Sequence, residues 1–280
     1  MLIIDEEHDG SYKQQDGFHY HARDVAIVRA KTLDVPILLG SATPSLETLH
    51  NAGTGRYRHH RLLKRAGIAE PPAVRIVDVR KIRMQDGLGQ TMLDGIRQCL
   101  AQGGQALVFK NRRGYAPALL CHDCGFTALC PRCDATLTLH EGLRSLQCHH
   151  CGYRKAKPPA CPDCGSLALQ PQGFGTERLE EALNREFPDA LCLRVDSAST
   201  RRRDGLSGHL QQLGDRPGIL VGTQMLAKGH DLPLLSFVGV VVVDEGLYSA
   251  DFRASEKLAQ LLVQVSGRAG RSEKAGRVLI

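Results

Sequence analysis

The sequence predicts an α/β protein of two domains, with a small metal-binding insertion inside the second. Three observations predict it. Short apolar strands that end in polar or glycine-rich turns alternate with helical segments along most of the 280 residues, the pattern of parallel sheets wound with helices. Pro71-Pro72 breaks that alternation behind a basic stretch, as a linker does. Eight of the ten cysteines crowd between Cys121 and Cys164 in CxxC pairs.

The first strand, residues 1–4, delivers Asp5-Glu6-Glu7-His8 at its carboxyl end, where open α/β sheets place their chemistry. A carboxylate there suits Mg²⁺ held against nucleotide phosphates, and a second one suits the attacking water; a solvated strand end has the same composition. Residues 9–23 interleave aromatic, polar and basic groups: Tyr12, Lys13, Gln14, Phe18, Tyr20, His21 and Arg23. Such a stretch suits unpaired bases and backbone phosphates, and ordinary loop packing equally well. A helix is expected over 22–31 and a strand over 35–39, which ends in Gly40-Ser41-Ala42-Thr43-Pro44-Ser45 before a helical 46–49. The basic run Arg56, Arg58, Arg61, Lys64 and Arg65 closes the first domain.

Beyond the linker the alternation resumes, with strands expected at 74–77, 106–109, 191–195, 219–222, 237–243 and 277–280 and helices at 92–101, 177–186, 205–213 and 255–265. The unbroken apolar run 237–243 suits a parallel strand covered on both faces. The expected organisation is a first domain over 1–66, a linker over 67–73, a second domain over 74–120 and 167–280, and the cysteine-rich insertion over 121–166.

The four pairs are Cys121/Cys124, Cys130/Cys133, Cys148/Cys151 and Cys161/Cys164. Two thiolates separated by two residues turn onto one tetrahedral ion, so eight cysteines fit two closed structural zinc sites. Disulfides are the rival reading, disfavoured in a reducing compartment. Residues 136–140 and 143–146 read as a hairpin whose ends bring the second and third pairs together. The expected sites are therefore nested: Cys130, Cys133, Cys148 and Cys151 on one ion, and Cys121, Cys124, Cys161 and Cys164 on the other. His122, His140, His149 and His150 are expected outside the ligand sets.

The formal charge of +6 counts cysteines as neutral. Eight thiolates remove eight charges and two Zn²⁺ restore four, leaving about +2, so net charge is weak evidence for a polyanion partner. The longest apolar run falls far short of the roughly 18 residues of a membrane span, and no charged-then-apolar leader is legible at the amino end. A cytoplasmic location is expected, with no membrane partner.

Five segments carry a resemblance. They are Asp5-Glu6-Glu7-His8 (motif II), Gly40-Ser41-Ala42-Thr43 (motif III), Phe109 to Gly114 (motif IV), Gly222 to Asp231 (motif V) and Gln264 to Arg271 (motif VI). In this order, with the cysteine insertion between motifs IV and V, the chain resembles the DEAH-like superfamily 2 helicases and, within them, the primosomal replication-restart helicases. The resemblance implies two RecA-like helicase lobes, the first one partial, and ATP-driven 3′ to 5′ unwinding of forked and single-stranded DNA. It implies Mg²⁺ on Asp5, water activation by Glu6, a relay through His8 with Ser41 and Thr43, and γ-phosphate sensing by Gln264. Arg268 and Arg271 would neutralise charge in the transition state, and Gly229 and Asp231 would face the nucleotide. Tyr12, Lys13, Phe18, Tyr20, Arg112, Arg113, Thr223 and Lys228 would meet DNA, although His19 stands where the family often has an arginine. Implied partners are primosome proteins, the single-strand-binding protein and the replicative helicase loader at the nucleoid. A GxxxxGK[ST] phosphate loop is absent from these residues, so the chain is expected to be part of a longer protein and inactive alone. The alternative is a non-catalytic, zinc-stabilised module that binds DNA or primosome proteins.

Overall fold

The computed structural model describes the chain except for residues 15, 64–69, 80, 81, 83, 112–118, 122, 141–144, 149, 172–175, 197–204, 224–231, 248–250 and 271–275. It divides into two compact units, Met1–Lys64 and Arg65–Ile280.

In the first unit, β1 (Leu2–Ile4) leads through a short hairpin of β2 (Lys13–Gln14) and β3 (Tyr20–His21) into α1 (Ala22–Thr32), β4 (Ile37–Leu39) and α2 (Leu46–Gly53). Strands β1 and β4 pair in parallel with Leu2 opposite Ile37 and Ile4 opposite Leu39. The carboxyl ends of both strands therefore lie side by side, which puts Asp5 next to Gly40. Helix α1 stops where Asp34 takes φ +53, a conformation that short polar side chains tolerate, and Pro36 follows. Helix α2 starts at Ser45, whose hydroxyl accepts the Thr48 backbone N–H at 3.3 Å, an N-cap that satisfies one orphan donor of the first turn.

The second unit is built on a six-stranded parallel sheet. Its strands are β5 (Ala73–Arg75), β6 (Gln105–Lys110), β12 (Leu191–Val195), β13 (Gly218–Gly222), β14 (Leu235–Val241) and β15 (Arg277–Leu279), in the spatial order β12-β13-β6-β14-β15-β5. Helices α3 (Gln90–Ala101), α4 (Thr176–Glu186), α5 (Gly205–Leu213) and α6 (Ala254–Ser266) connect them. Alternation along each strand divides the core in two. Leu107, Phe109, Leu220, Val238 and Val240 face Leu213 of α5 and Leu261 and Val265 of α6. Ala106, Val108, Ile219 and Val221 face Met92, Ile96 and Cys99 of α3 and Leu179, Ala182 and Leu183 of α4. Every residue of β6 is buried. Parallel strands thus carry helices on both faces, the α/β arrangement that the sequence predicts.

Strand β14 ends two residues before the apolar run does, because Val242 adopts φ +52 and the chain turns into a 3₁₀ segment, Val243–Leu247. Val242 and Val243 are half-buried against the two cores, and a packed turn shares that apolar character with a strand. An antiparallel ribbon of β7 (Leu119–Cys121) and β11 (Leu169–Pro171) forms the stem of the cysteine insertion. Beyond it β8 (Thr138–His140), β9 (Ser145–Gln147) and β10 (Arg154–Ala156) make a three-stranded antiparallel sheet. The hairpin of β8 and β9 is legible in sequence, whereas β10, β2 and β3 are two or three residues each and too short to carry an alternation.

Gly276 precedes β15 where a Cβ would lie 2.6 Å from the carbonyl carbon of Ala269 and 2.7 Å from the amide nitrogen of Gly270. Backbone on that side cannot swing away as a side-chain tip does. Gly276→Ala is expected to lower stability by about 1–3 kcal/mol, read as a lower urea midpoint with an unchanged slope.

Candidate functional site

Asp5, Glu6 and His8 stand together at the carboxyl end of β1. Asp5 is exposed and its Oδ1 accepts the Glu6 backbone N–H at 3.0 Å. Glu6 takes φ +47, a left-handed conformation that costs a non-glycine residue about 1–3 kcal/mol and persists where surrounding contacts hold it. Its Oε2 lies 3.4 Å from His8 Nδ1. The imidazole spans to the β4 end, with Nδ1 2.7 Å from Ser41 Oγ and Nε2 3.3 Å from Thr43 Oγ1. Ser41 Oγ in turn accepts the Thr43 backbone N–H at 2.9 Å. Strand pairing thus brings His8 to Ser41 and Thr43, each more than thirty positions further along the chain.

Glu7 has the opposite environment and was invisible as a separate group in the acidic run. It is fully buried. Oε1 accepts the Ser45 backbone N–H at 2.7 Å, and Oε2 accepts Arg23 Nη1 at 2.8 Å, Thr48 Oγ1 at 3.0 Å and Ser45 Oγ at 3.1 Å. Burial pushes its carboxyl upward, but the Ser45 N–H, Arg23 and the two hydroxyls outweigh it and hold the pKa below the usual carboxylate value. The only sequence signal for this arrangement is the Ser45 N-cap pattern; that Arg23 and Glu7 meet depends on the packing of α1 against β1.

Of the residues expected to meet DNA, Phe18 and Tyr20 sit on the β2–β3 hairpin, 84% and 43% exposed, with ring centroids 6.4 Å apart. Lys13 on the same hairpin is exposed. Tyr12 turns its hydroxyl inward and donates to the Asp5 backbone carbonyl at 2.8 Å. In the second unit Thr223 is buried just past β13, Gln264 is half-buried on α6, and Arg268 is buried. Arg112, Arg113, Lys228, Gly229, Asp231 and Arg271 lie outside the described residues.

The eight cysteines form two clusters, Cys121, Cys124, Cys161 and Cys164, and Cys130, Cys133, Cys148 and Cys151, each with its ligand atoms within 4.8 Å of one another. Each is built from two copies of one local device. The residue after the second cysteine of every pair is left-handed, Gly125 at φ 80, Asp134 at 55, Gly152 at 76 and Gly165 at 72. Its N–H returns to the carbonyl of the first cysteine at 2.9–3.0 Å. That turn aims both sulfurs the same way and points backbone N–H groups at them, as Cys151 N to Cys148 Sγ at 3.5 Å shows. The Cys151 and His150 N–H groups, against burial, draw Cys148 down to about 6; at Cys121 burial is outweighed by the Cys124 and Asp123 N–H groups, giving about 7.

Sulfur separations decide between metal and disulfide. Cys121–Cys164 and Cys124–Cys161 are 3.6 Å apart, and Cys130–Cys151 and Cys133–Cys148 are 3.5 Å apart. A disulfide needs about 2.05 Å, whereas tetrahedral zinc with bonds of about 2.3 Å sets its sulfurs about 3.8 Å apart. Both clusters fit structural zinc, and four thiolates leave no open position for chemistry. Around them Leu119, Ala128, Leu137, Leu139, Leu146 and Leu169 form a small core.

The doubly covered parallel sheet and the paired four-cysteine clusters define the class, an α/β protein with a cysteine-rich insertion that fits two structural zinc ions. Residues 130–155 match the family model described as the PriA DNA helicase Cys-rich region (CRR) domain. The whole chain is 49% identical to the Replication restart protein PriA of Haemophilus influenzae, covering 38% of that protein, and 42% identical to that of Bacillus subtilis, covering 35% of it. The similarity to these replication restart proteins runs along the whole of this chain, which spans less than half of their length. Among solved structures, Saccharomyces cerevisiae Dbp5 bound to RNA and ADP BeF3 aligns with 99% of this chain and 51% of its own, at 15% identity and a TM-score of 0.44.

Two measurements follow from the sites. Elemental analysis should find about two zinc ions per chain, and Cys148→Ser should leave about one while the Cys121 cluster keeps its ion. Glu7→Ala takes the carboxylate from Arg23 Nη1 while Asp24 stays on Nε at 3.0 Å and Ser45 Oγ on Nη1 at 2.7 Å, and it is expected to cost about 1.5–3 kcal/mol. Because the folded pKa of Glu7 is depressed, its contribution is present above its unfolded value near 4.5 and is lost as pH falls through the folded value. Acid unfolding of Glu7→Ala should accordingly lack that part of the low-pH limb.

Proposed function

We propose that the chain is motor region of an ATP-dependent 3′ to 5′ DNA helicase that acts in replication restart and primosome assembly at stalled forks. The observation that carries the proposal is the His8 bridge. An imidazole that touches the Glu6 carboxylate on one strand end and two hydroxyls on the next supports a carboxylate pair whose state is read by a neighbouring loop. Asp5, exposed and with one oxygen committed to the Glu6 N–H, has an oxygen left for a hydrated Mg²⁺ bound to ATP. Glu6, half-exposed, would orient or deprotonate the attacking water. For the second unit the nucleotide roles are assigned to Gln264, Arg268, Arg271, Gly229 and Asp231.

Single-stranded DNA is assigned to Lys13, Phe18 and Tyr20 through stacking and charge, with Tyr12 at the base of their hairpin. Phosphate contacts are assigned to Arg112, Arg113, Thr223 and Lys228. The zinc insertion, rigid and without an open metal position, would be a projection for DNA or for primosome proteins, the single-strand-binding protein and the helicase loader. A cytoplasmic, nucleoid-associated location goes with this reading. Among the described residues no helix is long and apolar enough to cross a membrane.

The test is ATP hydrolysis by the longer protein that also supplies a GxxxxGK[ST] loop, with and without forked or single-stranded DNA. Hydrolysis is expected to rise with DNA and to fall by about 10²–10⁴ in Glu6→Gln, while the 280-residue chain alone shows no appreciable turnover. Equal hydrolysis with and without DNA would sink the helicase reading. DNA or partner binding without any Glu6-dependent hydrolysis would favour the non-catalytic module.

A further inference from the structure

The basic run that closes the first unit takes no part in the site described above. Its start is fixed by the end of α2. Gly55 adopts φ +76, a left-handed turn open to glycine, and the Asn51 carbonyl accepts the backbone N–H groups of Arg56 at 2.9 Å and Tyr57 at 3.1 Å. Residues 56–63 then continue outside any helix or strand. Tyr57 is half-buried there, whereas Arg56, Arg58, His59, His60 and Arg61 are exposed.

Opposite charge is missing around this stretch. No aspartate or glutamate stands between Glu47 and Glu70. Arg56 reaches Asn51 Oδ1 from Nη1 only at 3.5 Å, and among the described residues neither it nor Arg58 nor Arg61 has a carboxylate partner. Arginines elsewhere do, as Arg97 with Asp94, Arg185 with Asp86, Arg194 with Glu180 and Arg253 with Glu256. A run of uncompensated cations makes a local positive field that attracts a polyanion. An extended chain advances about 3.4 Å per residue, so Arg56 to Arg61 spans up to about 17 Å, along which duplex DNA carries about ten phosphate charges. A guanidinium forks onto two phosphate oxygens, so three of them hold a backbone without reading a base.

Paired and unpaired DNA call for different surfaces. Unpaired bases need aromatic rings to stack on, and the β2–β3 hairpin displays Phe18 and Tyr20. Residues 54–63 display no phenylalanine, tyrosine or tryptophan, since Tyr57 is half-buried. Charge without stacking suits a duplex, whose bases are already stacked and whose phosphates face outward. Leu62 and Leu63, beyond the arginines, are 97% and 80% exposed; basic residues beside leucines also bind membrane surfaces, but from an amphipathic helix, and residues 56–63 form none. We propose that residues 56–61 are a backbone-binding arm for double-stranded DNA, with Arg56, Arg58 and Arg61 on the phosphates of the paired part of a fork. The inference rests on the helicase reading and deepens it, adding a duplex contact to the single-strand contacts assigned above.

Fluorescence anisotropy with the zinc-loaded 280-residue chain tests this on two probes, a blunt-ended DNA duplex and oligo(dT). Arg56→Gln, Arg58→Gln and Arg61→Gln combined should weaken duplex binding at least about tenfold at about 0.1 M salt and make the plot of log K against log salt shallower by about 2–3. Oligo(dT) binding and the thermal midpoint should stay at their wild-type values, because the three side chains are exposed. Lysine at the same three positions keeps the charge and should restore most of the duplex affinity and the slope. A wild-type chain that does not bind the duplex, duplex affinity untouched by the glutamine substitutions, or an equal loss on both probes would overturn the proposal. Loss of binding to phosphatidylserine vesicles, with duplex affinity untouched, would assign the arm to a membrane instead. If the wild type binds the duplex through these arginines and oligo(dT) not at all, the single-strand reading of the hairpin falls and the arm stands.

Discussion

A parallel sheet has no face to give to water, and the second unit follows from that constraint. Its strands join only through crossovers, so helices must lie over both faces and every central strand must be apolar on both sides. Strand β6 meets the demand in full, with all six residues buried between β13 and β14. The two core clusters are the two faces of one strand set, divided by the alternation that puts Leu107 and Phe109 on one side and Ala106 and Val108 on the other. Polar groups are thereby driven to the strand ends, which is where Lys110, Asn111, Asp196 and Thr223 are found.

The insertion obeys a different constraint. Six apolar side chains cannot by themselves hold a domain of this size, since small cores leave too little net stability after chain entropy. Zinc held by the two four-cysteine clusters would supply the missing folding free energy, and the local structure is the same turn repeated at each cysteine pair. Asp134 shows that glycine is not compulsory in that turn, for a short polar side chain adopts the same left-handed backbone. The β7–β11 stem then delivers a zinc-stapled projection from the sheet without disturbing it.

At the end of β1 three consecutive acidic residues have three separate fates. Asp5 faces solvent, Glu6 is half-exposed in a strained turn, and Glu7 is buried in a complete set of donors. These residues lie past the end of β1, and the left-handed backbone at Glu6 breaks the strand alternation that would have put Asp5 and Glu7 on one side. The strain at Glu6 is held by the contacts on both sides of it, Asp5 to Tyr12 and Glu7 to Arg23.

By itself the sequence determined the α/β class, most strands and helices of the sheet, the hairpin of β8 and β9, and the metal character of the cysteine pairs, because each is written in short-range periodicity or spacing. The end of β14 escaped it, since Val242 and Val243 are apolar in a turn as they would be in a strand. Strands β2, β3 and β10 escaped it because two or three residues are too few to carry a period. Only the tertiary structure decided that Glu7 is a partner of Arg23 and Ser45 rather than a third solvent-facing carboxylate, and that Tyr12 turns its hydroxyl to Asp5. Those contacts join residues that are distant along the chain, and what brings them together is the parallel pairing of β1 with β4 and the seating of α1 against β1, which no local pattern encodes.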